Sequence, residues 1–238
     1  MPGPGTNPPA DESEWVGWHR GYESSAHLTG RLPVVRHLLG EALDRAPPGP
    51  IRLASLCAGD GRDVLGVLPG HPRGPDVRAR LVELDPVLAR RARSEVERLG
   101  LSGVEVVEGD ASTSSALMGQ APVGVLLLCG IFGNLTDADV ERCVRALPRL
   151  VGPAATVLWT RARFAPDLTP SIRRWFAETG FDELAFVPIP GTSASVGAHR
   201  FAGRSEPFRP DERLFTFLPP AERPYAKSAP DESDAPPR

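Results

Sequence analysis

Residues 53–63 read Leu-Ala-Ser-Leu-Cys-Ala-Gly-Asp-Gly-Arg-Asp: an apolar run that breaks into Gly59-x-Gly61 and resumes with a helical pattern. Glycines at such a break let the backbone turn sharply at the carboxyl end of a strand and let a ligand approach main-chain atoms that a Cβ would shield. The stretch reads as a nucleotide-cofactor loop, and the residues downstream bear on which nucleotide it holds.

Working outward, Val77, Ala79 and Leu81 alternate with polar residues up to Glu83, which lies 22 positions after Gly61. A carboxylate at the tip of that second strand suits a ribose diol. Val-Glu-Val-Val-Glu-Gly-Asp-Ala (104–111) is a further short strand ending in an acid, placed to read an adenine amino group. Val-Gly-Val-Leu-Leu-Leu-Cys-Gly (123–130) is long and apolar enough for a buried central strand of a parallel sheet.

In their order and spacing these segments resemble the class I S-adenosylmethionine (SAM) dependent methyltransferases over roughly residues 50–200. Some actinobacterial proteins of that family share the Ser-Leu-Cys-Ala-Gly loop and the Cys-Gly-x-Phe-Gly-Asn stretch. The resemblance implies an α/β fold: a Rossmann-like, mostly parallel seven-stranded sheet with an antiparallel C-terminal hairpin and helices on both faces. It implies SAM as cofactor, with Ser55, Cys57, Ala58, Gly59 and Gly61 in the first motif. Glu83 and Leu84 fall at the ribose, Asp110 and Ala111 at the adenine, and Cys129, Gly130 and Phe132 on the methyl-transfer face. Two positions depart from the family pattern: Ser55 stands where a carboxylate is usual and Cys57 where the first glycine is usual. Asp85 reads as a helix N-cap, since Pro86 occupies the first-turn position that proline favours.

Composition bounds the rest. The chain has 238 residues, 41% of them hydrophobic, enough for one α/β domain with a sizeable core. A net charge of −3 leaves no basic footprint for a nucleic-acid backbone, so no nucleic-acid partner is expected. No stretch has the apolar length of a membrane span and no signal peptide is legible, so a cytoplasmic location and no membrane partner are expected. Cys57, Cys129 and Cys143 each sit among apolar or small residues and read as free thiols. No metal is expected, because the segment beyond the fourth strand is Cys129, Gly130, Ile131 and Phe132 and has no carboxylate cluster. Apart from Lys227 every Lys-or-Arg position is arginine, so individual arginines carry little weight.

The Pro-rich ends, 1–13 and 219–238, are expected to be disordered. Residues 14–48 form a helical cap, with Leu32, Val35, Leu38, Leu39 and Leu43 at helical spacing, and 49–218 form the cofactor-binding domain. Helices are expected at 61–68, 86–99, 137–149 and 169–179, the last capped by Thr169 with Pro170 following and closed by Gly180. Residues 181–187 and 195–201 form the edge hairpin.

Candidates for acceptor chemistry are few. Trp15, Trp18, His19 and Tyr22 share one helical face, which either packs on the sheet or closes over cofactor and acceptor. Methyl transfer is an in-line displacement at a sulfonium carbon, and a base is needed only if the acceptor must lose a proton. His19 and His199 are the candidate bases, against the alternative that each is structural or solvent-facing. Asn134, one of two asparagines, either contacts a ligand or caps the helix beginning near Asp137. Arg161 and Arg163 either bind an acidic acceptor or are ordinary surface residues. The expected activity is O- or N-methylation of a small molecule in specialised metabolism. Alternatives are a SAM-binding enzyme doing other chemistry, such as intramolecular displacement on SAM, and a non-catalytic SAM-binding protein. A nicotinamide oxidoreductase is disfavoured by Val64 at the third glycine position and by the lack of a Tyr-x-x-x-Lys pair. Acceptor and oligomeric state are not legible.

Overall fold

A computed structural model describes residues 26–223. Helix α1 (Ala26–Arg45) precedes strand β1 (Ile51–Leu56), after which strands and helices alternate: α2 (Arg62–Leu65), β2 (Val77–Glu83), α3 (Pro86–Leu99), β3 (Val104–Glu108), β4 (Val123–Leu128), α4 (Asp137–Ala146), β5 (Val151–Ala162), α5 (Thr169–Glu178), β6 (Phe181–Pro188) and β7 (Ala194–Phe201). They build one seven-stranded sheet of order β3-β2-β1-β4-β5-β7-β6, in which only β7 runs antiparallel to its neighbours.

The side-chain period of two splits the central strands between two cores. Leu53, Val125 and Leu127 join Val35, Leu39 and Leu43 of α1 and Val64 and Leu65 of α2 on one face. Ala54, Leu56, Leu126 and Leu128 join Val140 and Val144 of α4 and Ile172 and Phe176 of α5 on the other. Strands buried on both faces have to be nearly continuous apolar runs, as β4 is.

Several expected helices are shorter than their apolar pattern. The helix expected at 61–68 stops at Leu65 and is followed by a 3-10 turn, Leu68–Gly70, because a continued helix would set the Pro69 ring against the carbonyl four residues back. Pro148 acts likewise on the helix expected at 137–149, which ends at Ala146 and tightens into a 3-10 turn, Leu147–Arg149. At α5 the capping oxygen belongs to Asp167, whose Oδ1 accepts from the Thr169 amide at 2.9 Å and its hydroxyl at 2.8 Å; Thr169 is already helical. Asp85 does cap α3, its Oδ1 accepting from the amides of Val87 at 2.8 Å and Leu88 at 3.0 Å.

Beyond β7 the chain returns across the molecule. Thr113 bridges Arg213 and Leu135 bridges Phe217 in antiparallel pairs, and Leu214 and Phe215 are fully buried. Order extends past residue 218, correcting the boundary expected there: Pro220–Glu222 form a 3-10 turn and the Arg223 Nε donates to the Leu218 carbonyl at 2.9 Å. The expected disorder at 1–13 and 224–238 lies outside the described residues.

Candidate functional site

Strand order reverses at β1, whose neighbours β2 and β4 are reached by chain running in opposite directions, so the loops after β1 and β4 diverge and leave a crevice at their carboxyl ends. The β1–β4 register pairs Ser55 with Leu127, and two residues on, just past the end of each strand, stand Cys57 and Cys129. Cys57 adopts a left-handed φ of 52°, the conformation for which the resembled family uses glycine. Gly59 and Gly61 are also left-handed, and a Cβ on Gly61 would lie 2.9 Å from a Leu81 methyl.

The loop is fastened to β2 by Glu83. Its Oε2 accepts from the Gly59 amide at 2.7 Å and its Oε1 from the Asp85 amide at 2.8 Å. Burial pushes this carboxyl above its ordinary range, with the two amide bonds opposing the shift. Each oxygen keeps a further acceptor direction for a ligand hydroxyl.

Glu83 lines a cavity of about 160 Å³ together with Cys57, Leu84, Asp110, Ala111 and Gly130. Asp110 Oδ1 accepts from the Ser112 amide at 2.8 Å, and Arg213 lies 3.5 Å from Oδ2. Partial burial opposes ionisation of Asp110, but the Ser112 bonds and the Arg213 charge outweigh it and hold the carboxyl below its usual value. Burial, then the charges of Glu83 and Asp110, raise the Cys57 thiol well above the ordinary range, away from the thiolate that a nucleophile needs.

The returning C-terminal segment supplies the outer wall, and sequence reasoning missed it. Arg213, Thr216 and Phe217 line the same cavity, and Leu88 and Ser112 join them. The signal was Leu-Phe-Thr-Phe-Leu (214–218), four apolar residues in five within a polar, Pro-rich surround.

Four expected site residues lie elsewhere. His199 is 1% exposed and stacks on Phe176 with ring centroids 4.2 Å apart, and its Nδ1 accepts from the Trp159 indole at 3.2 Å. It pairs with Val157, below the carboxyl edge of the sheet, so it is a core residue and not a base for an acceptor. Asn134 is 6% exposed and lines neither described cavity at the crevice; its side-chain amide donates to the Gly130 carbonyl at 2.8 Å and its backbone carbonyl accepts from the Leu218 amide at 2.9 Å. Thr136 performs the helix capping expected of Asn134. Phe132 is fully buried 5.9 Å from the Trp159 ring, and Ser55 is buried within β1. His19 and the aromatic face of Trp15, Trp18 and Tyr22 lie outside the described residues. Arg161 donates to the Phe132 carbonyl and Arg163 to the Thr192 carbonyl, so both have internal partners.

A smaller cavity adjoins the first across Cys57 and is lined by Arg31, Ala58, Asp63 and Cys129. Arg31, buried on α1, donates to the Thr160 hydroxyl at 3.3 Å, and the same hydroxyl accepts from the Gly130 amide at 2.8 Å. Among the described residues no group of three or more His, Cys, Asp or Glu is arranged to hold a metal ion, and no helix is long and apolar enough to cross a membrane.

This sheet, with its crevice between β1 and β4 and an antiparallel edge hairpin, is the class I methyltransferase fold. It is similar to the CurJ carbon methyltransferase (TM-score 0.61, 15% identity, 76% of this chain and 57% of that one). It is also similar to the S-adenosylhomocysteine-bound magnesium protoporphyrin IX methyltransferase (ChlM) of Synechocystis PCC 6803 (TM-score 0.61, 9% identity, 77% and 92%). In sequence the chain is 37% identical over 114 residues to the ribosomal protein L11 methyltransferase of Prochlorococcus marinus (strain MIT 9303), a match spanning 48% of this chain and 36% of that protein. No family model matches the chain. The likeness to solved structures shows the fold, and the chain spans about a third of the length of the curated relatives it matches in sequence.

Proposed function

We propose that the chain binds SAM in the crevice and transfers its methyl group to a small-molecule oxygen or nitrogen. The observation that carries the reading is Glu83: a buried carboxylate at the tip of β2, held by the Gly59 amide and facing the same cavity as Asp110 one strand further out. A ribose diol on Glu83 and an adenine near Asp110, between the apolar surfaces of Leu84, Ala111 and Phe217, would place the sulfonium toward Cys57, Gly130 and Cys129.

Neither described cavity at the crevice is lined by a histidine. Catalysis would therefore rest on holding the sulfonium and acceptor in line and on excluding water, with deprotonation needed only for a protonated acceptor. Incubation with SAM, an acceptor panel and analysis of the sulfur product tests the reading. S-adenosylhomocysteine with a methylated acceptor supports it, and methylthioadenosine identifies intramolecular displacement instead.

The match to proteins named for ribosomal protein L11 favours a second reading, a protein acceptor. Labelled methyl appearing in L11 and not in low-molecular-weight material would replace the small-molecule reading with it.

A further inference from the structure

The adenosine-side groups account for half of the proposed cofactor. The other end of SAM is an amino acid carrying an ammonium and a carboxylate, and a buried zwitterion needs one anionic and one cationic partner. Ser55, where the resembled family usually has the acid, is 1% exposed inside β1 and lines neither cavity.

We infer, resting on the SAM reading above, that the smaller cavity is the amino-acid subsite, with the Arg31 guanidinium taking the α-carboxylate and the Asp63 carboxylate taking the α-ammonium. Three observations meet there. Cys57 is a wall of both cavities, so the two meet at one residue of the glycine loop. Arg31, Asp63 and Cys129 line this cavity together, and the Cys129 thiol is raised by burial and by the Asp63 charge and lowered by Arg31. Asp63 is itself pushed up by burial, with the Val64 amide, 3.1 Å from its Oδ1, and the Arg31 charge opposing the shift, and an ammonium at this point would further favour its ionised form. The acid displaced from β1 is thus supplied from α2, and its counter-charge from α1, an element outside the glycine-loop motif.

Calorimetry with two ligands tests the assignment. Methylthioadenosine has the adenosine and thioether of S-adenosylhomocysteine and lacks the amino acid. In Asp63→Asn and Arg31→Gln the Kd for S-adenosylhomocysteine should rise about tenfold or more, while that for methylthioadenosine stays at the wild-type value and reports an intact pocket. Undiminished S-adenosylhomocysteine affinity in the near-isosteric Asp63→Asn, or equal weakening of both ligands, overturns the subsite. Wild-type protein that binds neither ligand overturns the cofactor reading itself, which separates the two failures.

Discussion

The carboxylate of Glu83 receives the amide of Gly59 at 2.7 Å across 24 residues of sequence, so the glycine loop and the tip of β2 are one unit. The geometry gives Glu83 two tasks, shaping the loop and offering acceptors to a ligand, and an alanine at this position removes both.

Glu83→Ala is therefore expected to lower stability by about 1–3 kcal/mol, from amides left without a buried acceptor, and to weaken S-adenosylhomocysteine binding by about 1.5–3 kcal/mol. Asp85→Ala should cost about 1 kcal/mol of helix stability with affinity nearly intact. Denaturant titration and calorimetry on the pair separate the tasks; ligand affinity lost mainly in Asp85→Ala would refute the placement.

Asp110 is exposed and half-committed to Ser112 and Arg213. Asp110→Ala should weaken S-adenosylhomocysteine by about 1 kcal/mol, less than Glu83→Ala, because a single solvent-exposed hydrogen bond is lost. Arg213→Ala should leave the unfolding free energy within about 0.5 kcal/mol, since its ion pair faces solvent. A large drop in Tm for Arg213→Ala is the outcome that contradicts this.

Phe215 and Phe217 meet edge to face, centroids 5.3 Å apart, yet only Phe217 lines the cavity. Phe215→Ala should cost about 3–5 kcal/mol of stability, as for a fully buried ring. Phe217→Ala should cost far less stability and should reduce the thermal shift produced by S-adenosylhomocysteine. Melting curves with and without ligand read both effects at once, and a full ligand shift in Phe217→Ala removes this segment from the site.

His199 sets a pH limit. Burial, only partly opposed by Glu183, lowers its pKa to about 4, so the folded protein binds this proton less readily than the unfolded chain. Stability from this group is complete above the unfolded value near 6.5 and falls as pH drops toward 4, by about 3 kcal/mol in all. His199→Phe should flatten that slope between pH 6.5 and 4, while costing about 1–2 kcal/mol at pH 7 for the orphaned Trp159 indole N–H. Unfolding titrations at four pH values decide it; parallel slopes in both proteins refute the role.

Local physics made the alternating elements readable in the amino-acid order: the apolar period, the glycines at a forced turn and the Asp85-Pro86 cap all act within a few residues. The acids at 83 and 110 were legible for the same reason, since each ends a short strand whose direction the alternation fixes. Partnership across the sheet was not legible. His199 and Phe132 look like site residues by type and spacing, but only the β5–β7 register and the packing of α5 decide that both lie against Trp159 in the core. Likewise Arg31, Asp63 and Phe217 stand far apart in the chain and become neighbours of the crevice because α1, α2 and the returning C-terminal segment must cover apolar sheet faces that no local preference reveals.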